Sequence, residues 1–344
     1  MKPILDVLNG HTPSMPPVWM MRQAGRYLPE YMELRGKASS FLDLVYNPDF
    51  AAEVTMQPIR RFGMDAAILF SDILVIPQAL GQGLAFKAGE GPVLPPVRTS
   101  EDFQGFYDVD IHKTMSPIYQ TIKNVRTMLR DEGYDQTALI GFAGAPWTVA
   151  CYMVEGRGSR DFINTKRWAY ADPDGFDALI DLVTQATADY LIAQADAGAE
   201  ALKLFDSWAG ILDEMLFERY VIGPAQKIMA AIRAKHPDIP VIGFPRGGGV
   251  MYPRYVRQTG VSAVALDQTL PADWAADHVQ TLCPVQGNLE PFCLLAGGTA
   301  LEKEVKRIKS VLGKGPFIFN LGHGIHKETP IAHVEKMLDV LRED

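Results

Sequence analysis

Eight short apolar runs, separated by longer amphipathic stretches, constrain this chain more than any other feature. The runs occupy 17–20, 65–70, 138–142, 199–205, 240–244, 262–266, 284–287 and 316–320. They are near-continuously apolar, as parallel strands covered on both faces must be. Between most of them, helical periodicity spans 49–62, 114–130, 173–197, 211–235, 252–259, 272–281 and 301–312, and a last helix over 332–341 closes the chain. Asp172-Pro173 and Thr329-Pro330 each read as an N-cap followed by proline at the first helical position. Strand–helix alternation repeated in this way predicts an α/β fold, a single (β/α)8 barrel over 1–344. A Gly- and Pro-rich segment at 81–96 reads as a loop or small hairpin inserted after the second strand, not as a domain boundary.

With 47% hydrophobic and 22% charged residues, the 344-residue chain can bury a large core. The net charge of −8 argues against non-specific nucleic-acid binding, so an anionic ligand needs a local basic site. Three cysteines, Cys151, Cys283 and Cys293, form no ligand spacing, which disfavours a disulfide framework and a structural metal. No signal-like or membrane-spanning apolar run is present, and a cytoplasmic protein is the expectation.

A barrel builds its active site from the loops at the C-terminal ends of its strands. The unusual polar residues fall there: Arg22 and Arg26 after the first strand, Asp72 after the second, Gly144 to Tyr152 after the third, and Asp206-Ser207 after the fourth. Arg246, Asp267, Asn288 and His323 follow the remaining four. Two arginines around Gly25 beside aromatics suit planar carboxylate binding, and Asp72 ends an apolar run as an isolated carboxylate. Together they suggest chemistry on a polycarboxylate. Blander roles compete: Asp72 as a loop cap, Arg22 and Arg26 as partners of Glu30 or Glu33, Tyr152 as a core tyrosine, Ser207 as the cap of a helix near Ile211. His323, between two glycines, is free to project into the mouth, where its ordinary pKa permits a charged contact or a proton-shuttling role. Gly141 to Pro146 would let backbone N–H groups approach a ligand.

Taken together, Trp19–Tyr31, Phe70–Leu74, Gly141–Thr148, Tyr152–Gly156 and Asn320–Ile325 resemble the uroporphyrinogen decarboxylase family, nearly end to end. The resemblance implies a (β/α)8 barrel, usually a homodimer, that removes four acetate carboxyl groups from a cyclic tetrapyrrole without cofactor or metal, in heme biosynthesis. It assigns catalysis to Asp72, Arg22, Arg26, Tyr152 and His323. Substrate binding falls to the same five residues with Gln23, Ala24, Gly25, Arg35 and Ser207, of which Gln23, Ala24 and Gly25 act through their backbone. Arg22 is a candidate proton donor, although a guanidinium pKa above about 12 makes a bound water or a substrate carboxyl an alternative. Two departures add or keep basicity: His326-Lys327 where the family commonly has a proline, and Pro245-Arg246 where a lysine-glycine pair is more usual. Other readings are a non-catalytic tetrapyrrole-binding protein, and a cobalamin-dependent methyltransferase of the same superfamily, whose His-x-Cys zinc pair is absent here.

Overall fold

The computed structural model describes residues 2–87 and 91–343. Seven parallel strands pair in the order β1 (Ala66–Ile68), β4 (Ala138–Gly144), β5 (Ala201–Asp206), β6 (Val241–Pro245), β7 (Ala263–Ala265), β8 (Val285–Leu289) and β9 (Phe317–Leu321). The eighth position is filled by residues 17–19, which form a single bridge rather than a full strand. Phe319 N–H donates to Pro17 O at 2.8 Å on one side, and Asp65 N–H donates to Val18 O at 2.9 Å on the other, so the sheet closes on itself. Two prolines at 16 and 17 leave too few donors for a longer ladder there.

The barrel interior is filled in layers. Ala66, Ala138, Ala201 and Ala263 line its lower end, and their small side chains admit Ile4, Val7 and Leu8 of helix α1 (Pro3–Leu8), which plugs the bottom. Lys2 anchors that helix through Glu200 at 2.7 Å. A larger core lies between the sheet and the surrounding helices, which carry the amphipathic patterns of the sequence. Among these, α4 (Pro48–Phe62), α6 (Ile111–Asp131), α9 (Pro173–Asp196), α12 (Tyr252–Thr259), α13 (Ala272–His278), α15 (Gly298–Leu312) and α16 (Ile331–Arg342) stand within a few residues of the expected limits. In addition, α2 (Pro29–Lys37), α3 (Phe41–Tyr46), α5 (Val75–Ala79), α7 (Pro146–Glu155), α8 (Ile163–Ala171) and α14 (Pro291–Ala296) decorate the loops.

Two expectations are corrected. The helix expected over 211–235 is broken into α10 (Glu214–Phe217), a π turn at Glu218–Ile222 and α11 (Gly223–Lys235). Asp213 caps the first piece, and Pro224, with no N–H to give to the preceding turn, forces the reorganisation before the second. Thr329 is no cap, because Pro330 is extended and lies just outside α16, with no side-chain hydrogen bond at the helix start. The Asp172 cap of α9 is present, accepting from Gly175 N–H. The insertion at 81–96 contains an antiparallel pair, β2 (Ala85–Lys87) and β3 (Gly91–Val93), and its residues 88–90 lie outside the described residues. No helix among the described residues is long and apolar enough to cross a membrane.

Candidate active site

A cleft with about 820 Å³ of atom-free space, counting its open mouth, lies at the C-terminal ends of the strands. Ile68, Leu69, Phe70, Phe142 and Phe205 give it an apolar wall, while Arg22, Asp72, Ser207 and His323 supply the polar groups. Gln23 and Ala24 also line it. Of the remaining expected site residues, Gly25, Arg26, Arg35 and Tyr152 lie outside this lining. Arg26 and Arg35 both act on Tyr31, and Tyr152 stands within electrostatic reach of Asp72 and Arg22.

Asp72 reaches its place because β1 continues past its last ladder residue. Leu69 N–H donates to Ile140 O at 3.0 Å, and Phe70 N–H to Thr55 Oγ1 at 3.1 Å. The chain then turns, and Asp72 Oδ1 accepts from Leu74 N–H at 2.8 Å just before α5. The capping role and a functional role therefore coexist, since Oδ2 carries no hydrogen bond among the described residues. Burial of the carboxyl raises its pKa, against the opposing pull of the Leu74 N–H and the Arg22 charge.

The arginine loop is wired to the opposite end of the chain. Met21 N–H donates to Asn320 Oδ1 at 3.0 Å, and Ile325 N–H donates to Met21 O at 3.0 Å. Arg22 holds a left-handed backbone, φ 61°, and its side chain runs across Gly324. Neither Arg22 nor Arg26 pairs with Glu30 or Glu33: Glu30 binds Arg61 at 2.6 Å and Glu33 binds Lys37 at 2.9 Å. Both guanidinium groups are exposed and available to a ligand. Gln23 is a strut: its amide donates to Ala66 O at 2.9 Å and accepts from Met20 N–H at 3.1 Å. Its own N–H is spent on Met20 O at 3.0 Å, whereas the N–H groups of Ala24 and Gly25, like those of Arg22 and Arg26, have no partner among the described residues.

The 141–146 segment serves packing, not ligand approach. A Cβ at Gly141 would stand 2.6 Å from Gln194 Oε1, and one at Gly144 2.8 Å from Ile73 Cβ. Ser207 is no helix cap either, because the short turn Ala209–Ile211 is preceded by Trp208 and has no side-chain cap, so the Ser207 hydroxyl is unspent. Asp206 beside it is buried and accepts from Thr148 Oγ1 at 2.5 Å, with burial raising its pKa to about 7. Asp267 and Asn288 are loop clamps: Asp267 Oδ2 accepts from Gly247 N–H and Tyr252 O–H, and Asn288 Nδ2 donates to Asp267 O and Leu270 O.

His323 departs from its ordinary state. Burial, then Arg246, then Arg22 lower its pKa to about 3, against Asp267, so the imidazole is neutral near pH 7 and not the charged contact its ordinary pKa would allow. Burial also raises the Tyr152 pKa, keeping the phenol protonated. Sequence reasoning placed Arg246 at the barrel mouth and noted its basicity without giving it a role, and electrostatically it belongs to this site. It overlooked Lys203, a wholly buried amine in β5 whose Nζ lies 5.1 Å from the Trp19 ring, 5.0 Å from Phe205 and 5.2 Å from Phe244. The visible signal was a lysine between two leucines in the middle of a strand-like run. Among the described residues, no group of three His, Cys, Asp or Glu side chains converges in a way that would hold a metal.

The uroporphyrinogen decarboxylase (URO-D) family model matches residues 1–343. A uroporphyrinogen decarboxylase of Rhodospirillum rubrum is 52% identical over 341 residues, covering 99% of this chain and 97% of that protein. One from Chelativorans sp. is 54% identical over 340 residues, with 99% and 98% covered. Among solved structures, a methyltransferase from Methanosarcina mazei superposes with a TM-score of 0.79 at 19% identity, covering 98% of this chain and 96% of that one, a likeness of fold. The chain belongs to the uroporphyrinogen decarboxylase family.

Proposed function

We propose that the chain, as one catalytic domain over 1–344, removes the four acetate carboxyl groups of uroporphyrinogen III, releasing CO2 and coproporphyrinogen III for heme synthesis. The observation that carries this reading is Asp72: a desolvated carboxyl with one oxygen fixed by Leu74 N–H and the other free, on a cleft rimmed by unpaired arginines. Loss of CO2 from a pyrrole acetate needs the ring protonated at the adjacent carbon, so that it accepts the electron pair of the breaking C–C bond. Asp72 faces the pyrrole N–H groups and stabilises that cationic ring, an interaction strengthened by exclusion of water. No cofactor enters this reading, since the protonated ring is the electron sink.

Arg22, with the free N–H groups of Ala24 and Gly25, holds substrate carboxylates, and Arg26 and Arg35 receive others at the rim. The Ser207 hydroxyl and the Tyr152 phenol orient the substrate, and neutral His323 contributes a hydrogen bond, not a charge. The proton comes from water or a substrate carboxyl held by Arg22, because a guanidinium donor would be far too weak an acid at neutral pH.

The enzyme works as a cytoplasmic homodimer and has no nucleic-acid partner. Support for association comes from large apolar side chains exposed in the segments that follow strand ends, Ile163 of α8, Met215 of α10, Phe292 of α14 and Val250 after β6. The net charge of −8 supports the absence of nucleic acid. Anaerobic incubation with uroporphyrinogen, followed by separation of the oxidised porphyrins by carboxyl number, tests the activity. Bound substrate with no loss of carboxyl groups would point instead to a tetrapyrrole-binding protein.

A further inference from the structure

One basic side chain at the barrel mouth is not used by the roles above. Arg246 follows β6, and its backbone N–H is fixed by Phe244 O at 3.0 Å and Asp206 O at 3.1 Å. Its Nη1 reaches Ser207 O at 3.5 Å, its Nε is enclosed with no partner, and no carboxylate pairs with it among the described residues. Asp267, the acid that acts on His323 beside it, is already engaged: Oδ2 takes Gly247 N–H at 2.8 Å and Tyr252 O–H at 2.9 Å, and Oδ1 takes Thr269 N–H at 2.9 Å. A guanidinium that always carries its charge, half-buried and without a counter-ion, is costly in the empty protein and favourable once an anion arrives. Ser207 and His323, which it adjoins, both line the cleft.

We propose that Arg246 is a further substrate-binding residue, which with Arg22 flanks Ser207 and His323 and takes one side-chain carboxylate of the tetrapyrrole between two guanidinium groups. The inference rests on the decarboxylase reading above. The two arginines come from loops on different sides of the mouth, one after the first strand position and one after β6, so a carboxylate between them is held from two directions. The groups that face the imidazole between them are Arg246, Arg22 and Asp267, and the two cations outweigh the acid. Burial first, then these two cations, keep His323 uncharged, so it enters the subsite as a hydrogen-bonding wall, and the position of its titration, not its neutrality alone, reports Arg246.

The test compares wild type, Arg246→Met and Arg246→Lys by uroporphyrinogen turnover, and follows the His323 imidazole of the substrate-free proteins by NMR titration. Arg246→Met should raise KM about ten-fold or more, by a larger factor than it lowers kcat, as expected on losing a charge-assisted contact. Arg246→Lys should recover a good part of the loss, and in Arg246→Met the imidazole should titrate at higher pH than in wild type. A residue that only supports the loop would not move that titration. Should the methionine variant fail to fold, Arg246→Gln carries the same comparison. A folded Arg246→Met with wild-type KM overturns the proposal, as does an imidazole whose titration does not change. Wild type that binds uroporphyrinogen but releases no CO2 would overturn the decarboxylase reading instead, and the dissociation constants of the same variants would then decide the subsite.

Discussion

Arg22 lies across Gly324 so closely that a Cβ at position 324 would collide with its Cδ and stand 2.9 Å from its Cγ. This contact joins the arginine loop near the N-terminus to the loop after β9, which carries His323. The missing side chain at 324 is therefore what lets the guanidinium enter the cleft.

Gly324→Ala should displace Arg22 while sparing the fold, because the obstruction is a flexible side chain at an exposed site. We expect KM for uroporphyrinogen to rise about ten-fold, the size of one charge-assisted hydrogen bond, with a melting temperature close to wild type. Steady-state kinetics beside a thermal melt separates the two effects.

Lys203 should be a net liability to stability. Three aromatic rings near 5 Å favour the charged amine by about 0.5–2 kcal/mol each, yet full burial without a hydrogen bond costs an ammonium several kcal/mol. Burial wins, and the amine pKa falls well below 10.5. Its favourable contribution is therefore complete only above the unfolded pKa and is lost as pH falls toward the folded one. Lys203→Met should stabilise the protein by about 1–3 kcal/mol at pH 7 in denaturant unfolding, with the gain shrinking as pH approaches 10.

Asp206 predicts the opposite slope. With a folded pKa near 7 against an ordinary 3.8, its contribution is fully present below 3.8, falls progressively as pH rises from there, and is gone above 7. Asp206→Asn, which retains an acceptor for Thr148, should remove that loss. Relative to the variant, wild type should weaken by a few kcal/mol, on the order of the pKa difference, between pH 3 and pH 8. Equal pH slopes in the two proteins would show that Asp206 does not titrate in this range.

The barrel was legible because its strands and helices differ in period: apolar runs of a few residues against amphipathic stretches of ten or more. All eight strand positions were read, including 17–19, although only Val18 bridges there. The cleft was legible because Arg22, Asp72, Ser207 and His323 all follow strand ends. The wiring was not. Asn320 holds Met21 across 299 positions of sequence, and a contact that long leaves no local spacing to read. The same limit hid the reason for Gly141 and Gly144, whose neighbours Gln194 and Ile73 come from other elements. The state of His323 was hidden too, because it depends on burial and on two distant arginines. The break in the helix at 211–235 was present in the sequence as Gly223-Pro224, within a run whose periodicity masked it.

The central claim is that the Asp72 charge, not its hydrogen bond to Leu74, drives decarboxylation. Asp72→Asn keeps an oxygen for Leu74 N–H and removes only the charge, so wild type and variant should be compared under anaerobic conditions with uroporphyrinogen, without added metal or cofactor. We expect wild type to yield porphyrins of seven, six, five and then four carboxyl groups after oxidation. The variant should bind substrate but turn over at least about a hundred-fold more slowly, the loss typical of removing a preorganised electrostatic group. Near-normal turnover by Asp72→Asn, or no loss of carboxyl groups by wild type, would contradict the account.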